Sequence, residues 1–120
     1  MNPSLSDTVL VVDDDASIRL LCRINLELEG WRVREAGSLA QAREGLAIDD
    51  IRAVLLDLHL GDESGIALLR EIRRDHPGLR VALLTGTADP PPLDGARPDA
   101  VIPKPFTLDE LVGTVRLLAG

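Results

Sequence analysis

Residues 9–15 read VLVVDDD, in which four apolar residues are followed directly by Asp13, Asp14 and Asp15. A short, β-branched run bounded by polar residues is typical of a strand buried on both faces of a parallel sheet. The carboxyl end of this strand would bring two or three carboxylates to one point. Adjacent carboxylates raise each other's pKa unless a cation lies between them, and Mg²⁺ takes one or two carboxylates as ligands. The run therefore predicts a divalent-cation site at the edge of a parallel sheet.

Length and composition indicate one acidic domain. The chain has 120 residues, 45% of them hydrophobic and 2% aromatic, which suits a single core packed by aliphatic side chains. The net charge of −7 argues against a nucleic-acid-binding surface. Cys22 is the only cysteine, which excludes an internal disulfide and favours the cytoplasm. No signal peptide or membrane span is predicted, and residues 1–7 are interpreted as a polar lead-in to a domain at 8–120.

Predicted strands alternate with predicted helices, which indicates a parallel sheet covered by helices on both faces. The strands are predicted at 9–12, 32–36, 53–56, 80–84 and 100–102. The helices are predicted at about 15–29, 38–48 and 64–76 and from 107 onwards, with Asp15, Ser38 and Thr107 as N-caps. In the first helix, Ile18, Leu21, Cys22 and Leu28 are expected to share the inward face.

Polar residues follow several of these strands. Ligands of parallel sheets bind at the carboxyl ends of the strands, so Asp13, Asp14, Asp57, Thr85 and Lys104 are expected to meet there. Asp57 lies apart from the acidic run among apolar residues and is the predicted nucleophile, which would form an acyl phosphate. The cation and Lys104 would neutralise the phosphoryl oxygens, and the Thr85 hydroxyl would donate a hydrogen bond to one of them.

Four motifs, VLVVDDD, AVLLDLHLGDESG, LLTG and IPKPF, together resemble the receiver domain of bacterial two-component response regulators of the chemotaxis-regulator type. The resemblance covers nearly the whole chain. It implies a flavodoxin-like (βα)5 α/β fold, with a five-stranded parallel sheet of order 2-1-3-4-5 and a cis peptide bond at Lys104-Pro105. A receiver domain is a phosphorylation-activated signalling switch in bacteria, and not an enzyme beyond its own phosphorylation and dephosphorylation.

The resemblance also implies roles for the site residues. Asp57 would accept the phosphoryl group from a sensor histidine kinase or a histidine phosphotransfer protein. Asp14 and Asp57 would bind Mg²⁺, or Mn²⁺, directly and Asp13 mainly through water. The backbone carbonyl of His59 would complete the protein ligands. The side chains of His59 and Thr87 occupy positions that tune the lifetime of the phosphoryl group. An output domain, an effector protein or a homodimer would receive the signal, with no direct contact to nucleic acid or membrane.

Three departures from the family pattern carry expectations of their own. Pro90-Pro91-Pro92 forbids a regular helix, so the fourth helix is predicted to be degraded or missing. Val101 occupies the position of an aromatic switch residue, so output through an atypical surface is predicted, at the first helix, the last helix or the proline-rich segment. Gly61 occupies a position where the family often has proline, and is expected to loosen the loop after Asp57.

Two other classes of function stay open from the sequence. A phosphate-independent pseudo-receiver that only binds partners is favoured by the unusual fourth segment and opposed by the complete set of site residues. A hydrolase with an aspartyl-phosphate intermediate usually has a second aspartate two residues after the nucleophile, and here that residue is His59.

Overall fold

The computed structural model describes residues 7–86 and 95–119. In chain order its elements are β1 (Thr8–Val12), α1 (Ala16–Leu28), β2 (Arg32–Ala36), α2 (Leu39–Ile48), β3 (Ile51–Asp57), β4 (His59–Leu60), β5 (Glu63–Ser64), α3 (Gly65–Asp75), β6 (Arg80–Thr85), β7 (Ala100–Pro103) and α4 (Leu108–Ala119). None of these helices combines the length and the apolar character needed to cross a membrane.

The main sheet has five parallel strands in the order β2-β1-β3-β6-β7. Setting aside the small antiparallel hairpin β4–β5, this is the predicted order 2-1-3-4-5, so the predicted fold class is confirmed. β7 is an edge strand, which explains how the sheet tolerates Pro103, a residue without a backbone donor.

The core lies on both faces of the sheet, which is why its central strands each contain a run of four apolar residues. Leu10, Val12, Val54 and Leu56 face one cluster, which also contains residues of α2 and α3. Their neighbours along the same strands, including Val9 and Val11, face a second cluster that contains residues of α1 and α4. Side chains alternate across a strand, so one apolar run serves two helical layers.

The predicted helix caps are confirmed. The Asp15 carboxylate accepts from the Ser17 N–H at 2.8 Å. The hydroxyl of Ser38 accepts from the Gln41 N–H at 3.2 Å. Thr107 and Glu110 form a reciprocal capping box at the start of α4.

The predicted inward face of α1 is partly wrong. Cys22 and Leu26 are buried, whereas Leu21 is 41% exposed and Leu28 is 78% exposed. Residues four apart, namely Ile18, Cys22 and Leu26, form the ridge that meets the sheet, and Leu21 and Leu28 lie to one side of it. The helix therefore keeps an apolar ridge on its outer surface.

The segment between β6 and β7 contains no helix in its described part, residues 86 and 95–99. The described residues hold four helices instead of five, which fits the predicted loss of the fourth helix; Pro90, Pro91 and Pro92 themselves lie outside the described residues. Arg73 of α3 donates to the Asp99 carboxylate at 2.8 Å, and so does the Val81 N–H. Burial raises the pKa of Asp99, but these hydrogen bonds outweigh it and hold the pKa below its usual value.

Candidate functional site

The strand register brings the predicted site residues to one edge of the sheet. β1 and β3 end in register, so Asp13 and Asp57 lie side by side. β6 and β7 also end in register, with Thr85 beside Pro103 and Lys104 one residue further on. The Lys104 N–H donates to the Thr85 carbonyl at 2.7 Å, and the Lys104-Pro105 peptide bond is cis, as predicted. This edge is the carboxyl end of the sheet, where ligands of such folds bind.

Three carboxylates meet at this edge. Asp13, Asp14 and Asp57 each offer one oxygen, and the three oxygens lie within 4.8 Å of one another. Asp13 and Asp57 are buried, whereas Asp14 is exposed. A cluster of hard oxygen ligands of this kind, open to solvent on one side, fits Mg²⁺, which binds through carboxylates and keeps some of its water.

Lys104 lies between the two buried carboxylates. Its ammonium donates to Asp13 Oδ2 at 2.8 Å and to Asp57 Oδ2 at 3.2 Å. Burial lowers the pKa of Lys104, but the two carboxylates outweigh burial and raise the pKa above its usual value. Burial also raises the pKa of Asp13, against the lowering effect of the Lys104 hydrogen bond. The site therefore holds more negative charge than one ammonium neutralises, which favours a bound cation.

The loop after β3 is tied to the site by its backbone. The His59 N–H donates to Asp57 Oδ1 at 3.0 Å, so each oxygen of Asp57 accepts a hydrogen bond. The Gly61 N–H donates to Asp14 Oδ2 at 2.9 Å. Glu63 accepts from the Leu39 N–H of α2 at 3.2 Å. The Gly61 N–H thus bonds to one of the three acids, and a loosening effect of Gly61 on this loop stays a prediction.

The remaining predicted site positions differ in burial and in whether the structure describes them. Thr85 is buried at the end of β6, next to the site. Val101 lies on β7 and is 48% exposed, and His59 is exposed on β4. A role for the His59 carbonyl as a cation ligand stays a prediction. Thr87 lies outside the described residues.

Sequence reasoning missed two residues that shape the site. Arg19 of α1 donates to the backbone carbonyl of Asp13 at 2.6 Å and to Glu35 at 3.2 Å, which ties the acidic turn to β2. Gly65 begins α3 directly against the backbone of Asp57, and a Cβ added there would overlap the Asp57 carbonyl oxygen. A glycine in the first turn of a predicted helix could have indicated such a close approach. Nothing in the sequence distinguishes Arg19 from the other arginines of the chain.

Curated proteins are similar to this chain in sequence over most of its length. The chain is 36% identical over 114 residues to the probable transcriptional regulatory protein TcrX of Mycobacterium tuberculosis, covering 92% of this chain and 49% of TcrX. It is 34% identical to the C4-dicarboxylate transport transcriptional regulatory protein DctD of Rhizobium meliloti, covering 94% of this chain and 25% of DctD. The chain thus spans half the length or less of these curated relatives.

Solved structures of receiver domains superpose closely. A CheY-like response regulator receiver domain protein from Methanospirillum hungatei has a TM-score of 0.86 at 28% identity, covering 95% of this chain and 93% of that one. The response regulator TrrA of Thermotoga maritima, solved in complex with Mg²⁺ and BeF, has a TM-score of 0.84 at 29% identity, covering 93% of this chain and 98% of that one. The family model of the response regulator receiver domain matches residues 9–116. By its sequence and its fold alike, the chain belongs to the response regulator receiver domain family.

Proposed function

We propose that this domain is a Mg²⁺-dependent signalling switch that accepts a phosphoryl group on Asp57. The observation that carries the proposal is the position of Asp57, a buried carboxylate beside two further acids and 3.2 Å from the Lys104 ammonium. An enclosed carboxylate beside an ammonium group is a suitable acceptor for a phosphoryl group, whose transfer depends on positioning and charge neutralisation.

In this reaction, an Asp57 oxygen forms a bond to phosphorus while the bond from phosphorus to the donor breaks. With a phosphohistidine donor the imidazole nitrogen is the leaving group, and the product is an acyl phosphate. Lys104 would pair with the transferred phosphoryl group, and the Thr85 hydroxyl would donate to one of its oxygens. When bound, Mg²⁺ supplies neutralisation of the charge that accumulates on that group.

The donor set supports Mg²⁺ as the cation, with Mn²⁺ as an alternative that also takes oxygen ligands. Asp13, Asp14 and Asp57 would contribute their carboxylates, and His59 its backbone carbonyl. The three carboxylate oxygens lie within 4.8 Å of one another. TrrA, a structural relative, was solved in complex with Mg²⁺ and BeF, which supports Mg²⁺ as the cation.

The phosphoryl donor would be a sensor histidine kinase or a histidine phosphotransfer protein. Curated relatives include transcriptional regulatory proteins and the sensor kinase CckA of Brucella abortus, so receiver domains of this type work in more than one arrangement. We assign residues 8–120 to the receiver domain, which would signal to an output domain, an effector or a second copy. The domain would catalyse only its own phosphorylation and dephosphorylation. It would act in the cytoplasm.

Incubation with acetyl phosphate and Mg²⁺, followed by intact mass measurement, tests the proposal. We expect the wild type to gain one phosphoryl group and Asp57→Asn to gain none, because the variant lacks the nucleophilic oxygen. Asp62→Asn is the matched control, since Asp62 is an exposed carboxylate on the same loop, and it should label as the wild type does. Excess chelator should abolish labelling. An unlabelled wild type would instead favour the phosphate-independent binding module.

We also propose that the output surface is atypical. Val101 cannot make the inward swing of an aromatic switch residue, and α1 carries the exposed apolar residues Leu20, Leu21, Ile24 and Leu28. Amide chemical shifts measured before and after phosphorylation should therefore change on α1, on the outer face of α4 or in residues 95–99. Changes confined to β7 and the adjoining face of α4 would contradict this proposal.

A further inference from the structure

The Gly61 N–H joins two parts of the site that are distant in sequence. It donates to Asp14 Oδ2 at 2.9 Å, across 47 residues of chain. The acceptor is one of the three clustered carboxylates, and the donor lies in the loop that follows the proposed phospho-acceptor. A hydrogen bond to an ionised acceptor is among the stronger kinds in proteins.

Only a residue with a free N–H and a permissive backbone can make this contact. Gly61 has a φ of +62°, in the left-handed region that glycine adopts readily. Proline, which the family often has at this position, fixes φ near −65° and has no N–H. A proline at this position could not make the contact, so the contact depends on Gly61.

We infer that the Gly61 N–H is a positioning group for the cation ligand Asp14, and that it couples cation binding to the loop after Asp57. This inference rests on the proposed function, because it assumes that the three carboxylates bind Mg²⁺. The N–H occupies one acceptor site of Asp14 Oδ2, and since an ionised carboxylate has about four such sites, Asp14 could still bind a cation.

Positioning is the expected effect because Asp14 is the exposed member of the cluster. Asp13 and Asp57 are buried and are also held by the Lys104 ammonium. An exposed side chain has more rotamer freedom to lose when it binds a cation, and a hydrogen bond that is already formed reduces that cost. The amide dipole also offsets part of the repulsion among the carboxylates before the cation arrives.

Coupling to the loop follows from the neighbouring contacts. Two of the three acids accept from the backbone of the same loop, Asp57 from His59 and Asp14 from Gly61. A cation that draws these acids together therefore acts on the loop at two points. We expect Mg²⁺ to restrict the opening of this loop as well as to bind beside it.

Calorimetric titration of the whole chain with MgCl₂ tests the positioning role. We expect Gly61→Pro, which removes the N–H, to weaken Mg²⁺ binding by roughly tenfold. Gly61→Asn is the matched control, because asparagine keeps the N–H and tolerates a left-handed backbone, and its affinity should stay within about twofold of the wild type. Wild-type affinity in Gly61→Pro would overturn the inference. A wild type that does not bind Mg²⁺ would instead contradict the proposed function.

The rate of hydrogen exchange at the Gly61 amide gives a second test. This test remains valid even if the Gly61→Pro variant does not fold. In chelator the amide should exchange slowly in the wild type and faster in Asp14→Ala, because the acceptor is gone. Added Mg²⁺ should slow it further in the wild type. Equal exchange in the wild type and in Asp14→Ala would overturn the inference even if Gly61→Pro does not fold.

Discussion

Replacing Gly65 by alanine is expected to lower the free energy of unfolding by at least about 3 kcal/mol, the upper range for overpacking a buried site. Gly65 is buried, and its N–H donates to the Leu58 carbonyl at 2.8 Å. A Cβ at this position would overlap the Asp57 carbonyl oxygen and lie 3.1 Å from the Leu58 Cα. These are backbone atoms, which cannot rotate away as a side chain can, so α3 must move off β3. Urea denaturation at neutral pH measures the loss.

Gly113→Ala is the matched control for this prediction. Gly113 lies within α4, and a Cβ added there would meet no atom within 4 Å. Alanine should raise the free energy of unfolding by about 0.5–1 kcal/mol at this position, because it has the higher helix propensity. The same substitution should thus have opposite signs at the two glycines. A Gly65→Ala protein within about 1 kcal/mol of the wild type would show that α3 adjusts without cost.

The strands and the acidic edge could be predicted because each depends on a local pattern, whereas the strand order was implied by the resemblance to receiver domains. VLVVDDD predicts a buried strand that ends in acids, and strands that alternate with helices place their carboxyl ends together. The cap residues Asp15, Ser38 and Thr107 were likewise predictable, because a cap depends on residues only a few positions away.

What the sequence could not provide are contacts between distant backbone segments. The Gly61 bond to Asp14 depends on the backbone conformation of the loop, and Gly65 on how closely α3 approaches β3. The face of α1 was partly misassigned because its apolar residues form two ridges, and only packing decides which ridge is buried. The hairpin β4–β5 has two residues in each strand. Strands this short cannot be predicted from an alternation of apolar and polar residues, which needs at least about four residues.

Lys104→Met is expected to lower the free energy of unfolding by about 2 kcal/mol at pH 7 in chelator, because it leaves the buried Asp13 without its cation. Lys104 donates to Asp13 Oδ2 at 2.8 Å, and the Asp13 side chain is fully buried. The methionine side chain is similar in length and apolar, so the change removes the charge more than the packing. Mg²⁺ should restore part of the loss, since the cation can take over the neutralisation of the same carboxylates.

The fall in the free energy of unfolding caused by Lys104→Met should depend on pH, in a direction set by the pKa of Asp13. Burial raises the pKa of this carboxyl above its unfolded value, so its contribution to stability is present below the unfolded pKa and is lost as pH rises through the folded pKa. Lys104 opposes that rise, so its removal raises the folded pKa further. The difference between wild type and Lys104→Met should therefore be small near pH 4 and large near pH 8, measured by urea denaturation in chelator.

The double variant Asp13→Asn/Lys104→Met separates this charge effect from lost packing. With the Asp13 carboxylate replaced by a neutral amide, only Asp57 keeps a buried charge that has lost its Lys104 partner, so the double variant should recover part of the stability that Lys104→Met loses at neutral pH. The interaction energy between Asp13 and Lys104, obtained from the two single variants and the double variant, should be small near pH 4. At that pH Asp13 takes up a proton more readily in the folded state than in the unfolded one. An equal loss at both pH values, or no recovery in the double variant, would mean that Lys104 does not stabilise the fold through Asp13, and would leave its second partner, Asp57, as the source of the effect.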